Sequence, residues 1–227
     1  MPIKLVVFDM AGTTVKDDND VTAAFQSAIA AYGYQIPAEI INPLMGYEKK
    51  TAITKMLNIY EADHTRITTV LIDSIHHKFV ELMISHYLQT PKLTALPHAE
   101  ETMAALRSKG VKIGINTGFS RVIADTIIAR LQWREKGLFD YLIGSDEVPA
   151  GRPDPAMIFN MMQLAGITDA QEVAKVGDTE VDIREGQNAG CRYVIGVTTG
   201  TFSRETLQPY APTHIIDDIA EVINIIN

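Results

Sequence analysis

Leu5-Val6-Val7-Phe8-Asp9-Met10-Ala11-Gly12-Thr13-Thr14 is the stretch whose reading decides the fold. Four apolar residues in a row have the length and texture of a strand buried on both faces. The run stops on a carboxylate and then a glycine. In an open parallel sheet, ligands bind along the edge formed by the carboxyl ends of the strands. Asp9 stands at such an edge; taken alone, it reads more readily as the start of an ordinary turn.

The same texture recurs at 111–116, 141–144, 173–176, 193–197 and 214–216. Amphipathic stretches of helical length lie between these runs. Segment 99–109 stops at Gly110, a residue suited to a helix C-terminus. Ser120 stands where it can cap a helix running to about Trp133. Segment 155–164 stops before Gly166, and Asp217 opens a last helix to the C-terminus. Alternating strands and helices predict an α/β fold: a doubly wound, Rossmann-like parallel sheet with helices on both faces. Over 17–90 the rhythm breaks. Segments 21–32, 49–59 and 65–88 read as helices with no strand among them, and Pro91 and Pro97 mark the return. The expected organisation is a catalytic core from 1–16 and 91–227, with an all-helical cap, 17–90, inserted after the first strand.

The 227 residues, 46% apolar and 21% charged, suit a soluble domain with a smaller one inserted in it. A net charge of −8 argues against a nucleic-acid surface. An acidic chain that binds an anion must recruit positive charge locally, and a metal ion is one way to do so. A single cysteine, Cys191, makes no internal disulfide, which fits a reducing compartment. The N-terminal apolar run is too short for a membrane span and lacks the shape of a signal peptide. The expectation is a cytoplasmic protein that engages neither membrane nor nucleic acid. No P-loop or dinucleotide fingerprint is present, so nucleotide cofactors are not expected. His76, His77 and His86 lack the paired spacing of a helical zinc site. Met45, Met56, Met83, Met161 and Met162 read as packing residues.

Three further clusters carry polar chemistry. Asn116-Thr117-Gly118 sets a hydroxyl beside a glycine amide ahead of a helix, which suits a phosphate oxygen. Gly151-Arg152-Pro153 puts a guanidinium in a loop, where it pairs with phosphate, pairs with a buried carboxylate, or faces solvent. Gly177-Asp178-Thr179-Glu180-Val181-Asp182 closes a strand and supplies a second Asp four residues after the first. If a helix begins there, the two carboxylates lie close together. Their hard oxygens suit magnesium, although acidic residues also favour any helix N-terminus. Each cluster is modest alone. Their joint order on one sheet edge is not.

Asp9-x-Ala11-Gly12-Thr13, Thr117-Gly118, Gly151-Arg152-Pro153 and Gly177-Asp178-x-x-x-Asp182 together resemble the haloacid dehalogenase superfamily. The resemblance spans essentially the whole chain, the helical insertion included. Ala11 and Arg152 point to its phosphonoacetaldehyde hydrolase (phosphonatase) branch, because most of the superfamily has Asp and Lys there. The resemblance implies a Mg2+-dependent hydrolase of a small phosphorylated or phosphonate substrate. Asp9 would attack phosphorus and form an aspartyl-phosphate. Asp9, the Ala11 carbonyl and Asp178 would hold Mg2+, with Asp182 ordering its water shell. Thr117, the Gly118 amide and Arg152 would bind phosphoryl oxygens, with Ala11 and Gly12 lining the same site. Metal and guanidinium neutralise a dianion that would otherwise repel the attacking carboxylate. The branch also implies a homodimer formed through the cap.

Ala11 has a chemical consequence. In most phosphatases of the superfamily, an Asp two residues after the nucleophile protonates the leaving oxygen, and Ala cannot. On the phosphonatase branch the leaving group is carbon, and a cap lysine forms a Schiff base whose iminium takes up the electrons of the C–P bond. Met45-Gly46-Tyr47-Glu48-Lys49 resembles that branch's Met-Gly-x-x-Lys motif. This makes Lys49 the implied lysine, with Met45 and Gly46 beside the substrate. Read without the motif, Lys49 and Lys50 are a solvated pair. With it, the Lys49 amine needs burial or a nearby cation to be nucleophilic, and Lys50 is adjacent and could contribute that field, although neighbours on a helix point apart. Two positions depart from the branch: Ala52 stands where it has His, and Phe119 where it often has Tyr. His64 and His76 are the other cap groups able to move a proton. The expected chemistry is C–P cleavage of a phosphonoaldehyde through Lys49, or hydrolysis of a small phosphate ester through Asp9 alone. A non-catalytic binding protein on this scaffold would not need the full set of residues.

Overall fold

A computed structural model describes residues 2–226. Along the chain come β1 (Leu5–Phe8), α1 (Asp20–Ala30), α2 (Ala38–Ile41), α3 (Lys49–Tyr60), α4 (Thr69–Gln89), α5 (Ala99–Ser108), β2 (Lys112–Thr117) and α6 (Arg121–Leu131). There follow β3 (Tyr141–Gly144), α7 (Ala156–Ala165), β4 (Val173–Gly177), α8 (Glu180–Ala189), β5 (Tyr193–Val197), α9 (Arg204–Leu207), β6 (His214–Ile216) and α10 (Val222–Ile225). The strands form one parallel sheet in the order β3-β2-β1-β4-β5-β6. β1 is buried at every residue, as the centre of a sheet covered on both faces requires. Its register sets Phe8 opposite Ile115 of β2 and Val176 of β4. The carboxyl ends of these three strands are therefore level. The chain winds outward from β1 through β2 to β3, then crosses back to β4, so the direction of winding switches at β1 and β4. Ligands of doubly wound sheets bind at such a switch.

No strand interrupts the chain between β1 and α5 among the described residues. The two linkers that leave and rejoin the sheet pair with each other. Lys16 N donates to Thr94 O at 3.1 Å and Leu96 N to Thr14 O at 2.9 Å, around a bridge between Val15 and Ala95. The helices between them share a core in which the Phe25 and Phe79 rings stack at 4.3 Å. α4 packs on α1 and α3, and also on α6 beside the sheet. The methionines read as packing are all buried.

Several boundaries move, each for a local reason. The 65–88 helix begins only at Thr69. Asp63 caps a short 3-10 turn, His64–Arg66, and Thr68 then accepts from Leu71 N to start α4 afresh. Ser120 occupies the N-cap position of α6, but its hydroxyl makes no capping bond. Asp146 accepts from Arg121 N instead, at 2.7 Å. The helix expected from Asp217 is cut to α10, because Asp218 caps a separate 3-10 turn, Ile219–Glu221, ahead of it. No helix of the described residues is long and apolar enough to cross a membrane.

Candidate active site

The strand ends bring three carboxylates together. Asp9 follows β1, and its N–H donates to Val176 O at 2.9 Å, which ties it to the end of β4. Asp178 follows β4, and Asp182 lies in the first turn of α8. Oxygens of Asp9, Asp178 and Asp182 all lie within 4.8 Å of one another, and all three residues are buried. Arg152, 3% exposed, reaches in from its loop and pairs with Asp9 Oδ1 at 2.7 Å and with Asp182 Oδ1. Of the options open to that guanidinium, the one realised here is pairing with buried carboxylates.

A second layer stands behind them. Lys175 of β4 has no exposed surface. Its Nζ donates to Asn116 Oδ1 at 2.6 Å and lies 3.0 Å from Asp182 Oδ1 and 3.2 Å from Glu185 Oε2. Asn116 Nδ2 in turn donates to Glu185 Oε1 at 2.8 Å. Asp182 is thus held by two cations and by the Thr179 hydroxyl at 2.5 Å. Burial raises its pKa, but Arg152 and Lys175 overcome that and leave it below the usual carboxylate range. Asp178 is the opposite case. Among the described residues it accepts only from Thr13 Oγ1 at 3.1 Å and Thr201 N at 2.7 Å, with no cation of its own. Burial, and then the charges of Asp9 and Asp182, push its carboxyl well above the usual range. Asp9 is raised as well, chiefly by burial.

This imbalance tests the fit of a metal ion. In the buried cluster, four carboxylates (Asp9, Asp178, Asp182, Glu185) face two cations paired with them, Arg152 and Lys175, and a third across the cavity, Lys49, whose charged form burial disfavours. Uncompensated buried charge is costly. Burial raises Asp9, Glu185 and Asp178 alike, and the deficit is sharpest at Asp178, which is raised furthest and pairs with neither cation. A divalent cation with hard oxygen ligands meets that need in charge and in donor type.

Lys49 faces the same cavity from the helical side. It is only 4% exposed and is the first residue of α3. Its Nζ sits over the rings of Phe119, Phe25 and Phe79, at 4.9, 5.5 and 5.9 Å from their centroids. Its pKa is lowered to about 8, first by burial and then by the Arg152 charge. The helix N-terminus, where backbone amides point outward, disfavours an ammonium further. Lys50 does not supply the field expected of it. It is half exposed and pairs with Asp73 at 2.7 Å, because adjacent helix positions point apart.

Asp9, Ala11, Met45, Gly46, Lys49, Thr117, Gly118, Arg152 and Asp178 all line one cavity of about 30 Å³. That holds a water or two, so the structure is closed and must open to admit a substrate. Gly12 and Asp182 are not on its wall. Gly12 packs against Asp178, and Asp182 lies behind Arg152. The walls also include Asp17, Val21, Phe119, Thr179 and Thr201. In the sequence Asp17 stands out only as the boundary of the helical insertion, and Thr201 belongs to a loop without a motif. Lys175 carried one usable signal, a charged residue inside an apolar strand. Ala52 is fully buried in packing, and Phe119 offers a ring without a hydroxyl, so neither departure is made good in place.

Two glycines set how closely the helical side approaches the sheet. A Cβ on Gly118 would meet the backbone oxygens of Tyr47 at 2.5 Å and Gly46 at 2.6 Å. At Gly46, φ +84°, a Cβ would likewise run into the Thr179 and Val181 side chains. Backbone cannot yield as a side-chain tip does. Gly118→Ala is therefore expected to hold the Met45–Lys49 segment away from the sheet. A misplacement of that size is expected to lower kcat/KM by about 100-fold with the fold intact. Steady-state kinetics beside a circular dichroism spectrum test this, and an unchanged kcat/KM would show that closure here is irrelevant to turnover.

Comparisons with known proteins agree with this geometry. The family model for haloacid dehalogenase-like hydrolases matches residues 6–196. A phosphonoacetaldehyde hydrolase of Latilactobacillus sakei subsp. sakei (strain 23K) is 31% identical over 226 residues, covering 95% of this chain and 81% of that protein. One from Bacillus cytotoxicus is 35% identical over 213 residues, covering 88% and 78%. Among solved structures, a phosphonoacetaldehyde hydrolase like protein from Oleispira antarctica superposes with a TM-score of 0.86 at 22% identity, covering 100% of this chain and 92% of that one, a likeness of fold. The chain belongs to the haloacid dehalogenase-like hydrolases and is a relative of their phosphonoacetaldehyde hydrolases.

Proposed function

We propose that this hydrolase cleaves the C–P bond of a phosphonoaldehyde, with Asp9 as nucleophile and Lys49 as Schiff-base lysine. One observation carries the reading: a buried amine with a pKa of about 8 lines the same cavity as a buried Asp on the central strand. Near neutral pH such an amine is neutral often enough to attack an aldehyde. Residues 17–90 act as the cap that brings it, and 1–16 with 91–227 as the core that holds Asp9. Asp9, Asp178 and the Ala11 carbonyl would hold Mg2+, with Asp182 behind them; bound there, the ion supplies Lewis-acid charge to the phosphoryl oxygens. Thr117, Gly118 and Arg152 orient the phosphonate. Lys49 adds to the aldehyde and becomes an iminium. Asp9 then attacks phosphorus, the C–P bond breaks, and its electron pair passes into the iminium as an enamine. Water releases phosphate from Asp9 and the aldehyde from Lys49.

The alternative is a small phosphomonoesterase that uses Asp9 without Lys49. The buried Ala52 and the hydroxyl-free Phe119 favour it, since both remove expected proton-transfer groups. Borohydride added during turnover of phosphonoacetaldehyde with Mg2+ separates the two. The Schiff-base reading expects an adduct that peptide mass spectrometry locates on Lys49. Turnover without any adduct would overturn the Schiff-base reading, and phosphate-ester hydrolysis at full rate by Lys49→Ala would establish the alternative.

A further inference from the structure

The Schiff-base route needs a proton carrier that the residues assigned so far do not supply. When Lys49 adds to an aldehyde, the carbonyl oxygen must gain a proton and the nitrogen must lose one. The resulting hydroxyl then leaves only as water. The histidines are elsewhere. His64 is exposed on its turn. His76 lines a separate groove with Lys50 and Lys55. His86 lies 3.4 Å from Asp20 and lines another small pocket. Among the described residues, five ionisable side chains line the reaction cavity: Asp9, Asp17, Lys49, Arg152 and Asp178. Asp9 is committed to phosphorus, Asp178 to the metal, and Arg152 does not give up its proton. Asp17 remains.

Its geometry suits the task. Asp17 ends the linker that enters the helical region. Its Oδ1 accepts from Asp20 N at 2.9 Å and Val21 N at 3.3 Å, which anchors the carboxyl at the start of α1. Among the described residues nothing pairs with its Oδ2. The charged and titratable groups around it come from three elements, Asp20 on α1, Lys49 on α3 and Tyr87 on α4, and Asp9 shares the cavity wall. Burial keeps its carboxyl above the usual range, against the two amide hydrogen bonds. The nearby Tyr87 phenol is buried and without a hydrogen-bond partner, so no fixed partner competes for the proton from that side.

We propose that Asp17 carries the proton between the substrate oxygen and the Lys49 nitrogen during imine formation, an inference that rests on the Schiff-base reading above. The amine of Lys49 forms the N–C bond, the carbonyl π pair moves to oxygen, and that oxygen takes the Asp17 proton. The Asp17 carboxylate takes one proton back from the carbinolamine nitrogen. It then returns that proton to the hydroxyl, the C–O bond breaks, water leaves, and the nitrogen lone pair closes the iminium. Asp17 ends as a carboxylate beside a cation.

The test is the rate of borohydride-trapped adduct formation on Lys49 with phosphonoacetaldehyde, in wild type, Asp17→Asn and Asp17→Ser. Both substitutions keep an oxygen acceptor for the α1 amides, so a role limited to capping would leave the rate unchanged. The expected result is a fall of at least about 100-fold in both variants, with partial rescue of Asp17→Ser by added formate. A folded variant that forms adduct within about threefold of wild type overturns the proposal but not the Schiff base, because wild type still traps. No adduct in wild type overturns both. A measurement without variants guards against misfolding: wild-type adduct formation must slow in deuterium oxide, and an isotope effect of unity overturns the proposal.

Discussion

Asp9→Asn is expected to lower magnesium-dependent phosphate release by at least about 10⁴-fold, the scale on which loss of a covalent nucleophile is felt. Asn keeps the size of the side chain and can still accept a hydrogen bond from Arg152. It cannot form the acyl-phosphate. The variant should fold as the parent does, because the remaining pairs of Arg152 and Lys175 with Asp182 and Glu185 are untouched. Removing one of the charges that crowd Asp178 should also bring the Asp178 pKa down, since Asp9 is the foremost charge raising it. Phosphate release measured with phosphonoacetaldehyde, with and without a chelator, tests the first point. Residual turnover within tenfold of wild type would move the nucleophile elsewhere.

Lys49→Met is expected to abolish Schiff-base trapping and, at the same time, to stabilise the protein at pH 7. The amine's pKa falls from 10.5 to about 8 on folding. At about 1.4 kcal/mol per unit, holding the ammonium in this site costs about 3 kcal/mol at neutral pH. Attraction to the three rings offsets part of this, roughly 1 kcal/mol or more in a desolvated site. Burial is the larger effect, so the gain expected for Met is about 1–3 kcal/mol, or several degrees in Tm for a chain of this size. The sign follows from proton binding. The unfolded state holds the lysine proton up to pH 10.5, while the folded state releases it near 8. The penalty is complete below about 8 and fades as pH rises toward 10.5. Calorimetry of both proteins at pH 7 and pH 10 should show a gap in Tm that narrows at the higher pH. A less stable Lys49→Met at pH 7 would mean that the ammonium is welcome in the cage and that its amine is not primed to attack.

Much of this molecule was legible in the chain. Continuous apolar runs such as 5–8 mark strands covered on both faces, because nothing polar is tolerated there. Carboxylates just past those runs fall at the sheet edge by topology alone. Asp9 could therefore be gathered with Asp178 and Asp182 from two distant segments before any distance was known. Glycines 46 and 118 belonged to recognisable short motifs, although their common purpose, close approach of two backbones, was not visible there.

What remained hidden depends on neighbours remote in sequence. Lys49 and Lys50 are alike on paper. One is enclosed by Phe25, Phe79 and Phe119 from three separate segments, and the other pairs with Asp73 in solvent. The field on Lys49 comes from Arg152, about a hundred positions away, and not from the lysine beside it. Lys175 and Glu185, which no motif announced, join Asn116 in a buried support. Asp17 reads as no more than the boundary of the helical insertion until the cavity wall is traced. The sequence by itself determined which groups stand at the sheet edge, because strand period, apolar runs and caps are local properties of the chain. Only the tertiary structure decided which of them are ionised, paired or free to move a proton, because desolvation and charge are set by whatever the fold packs around each group.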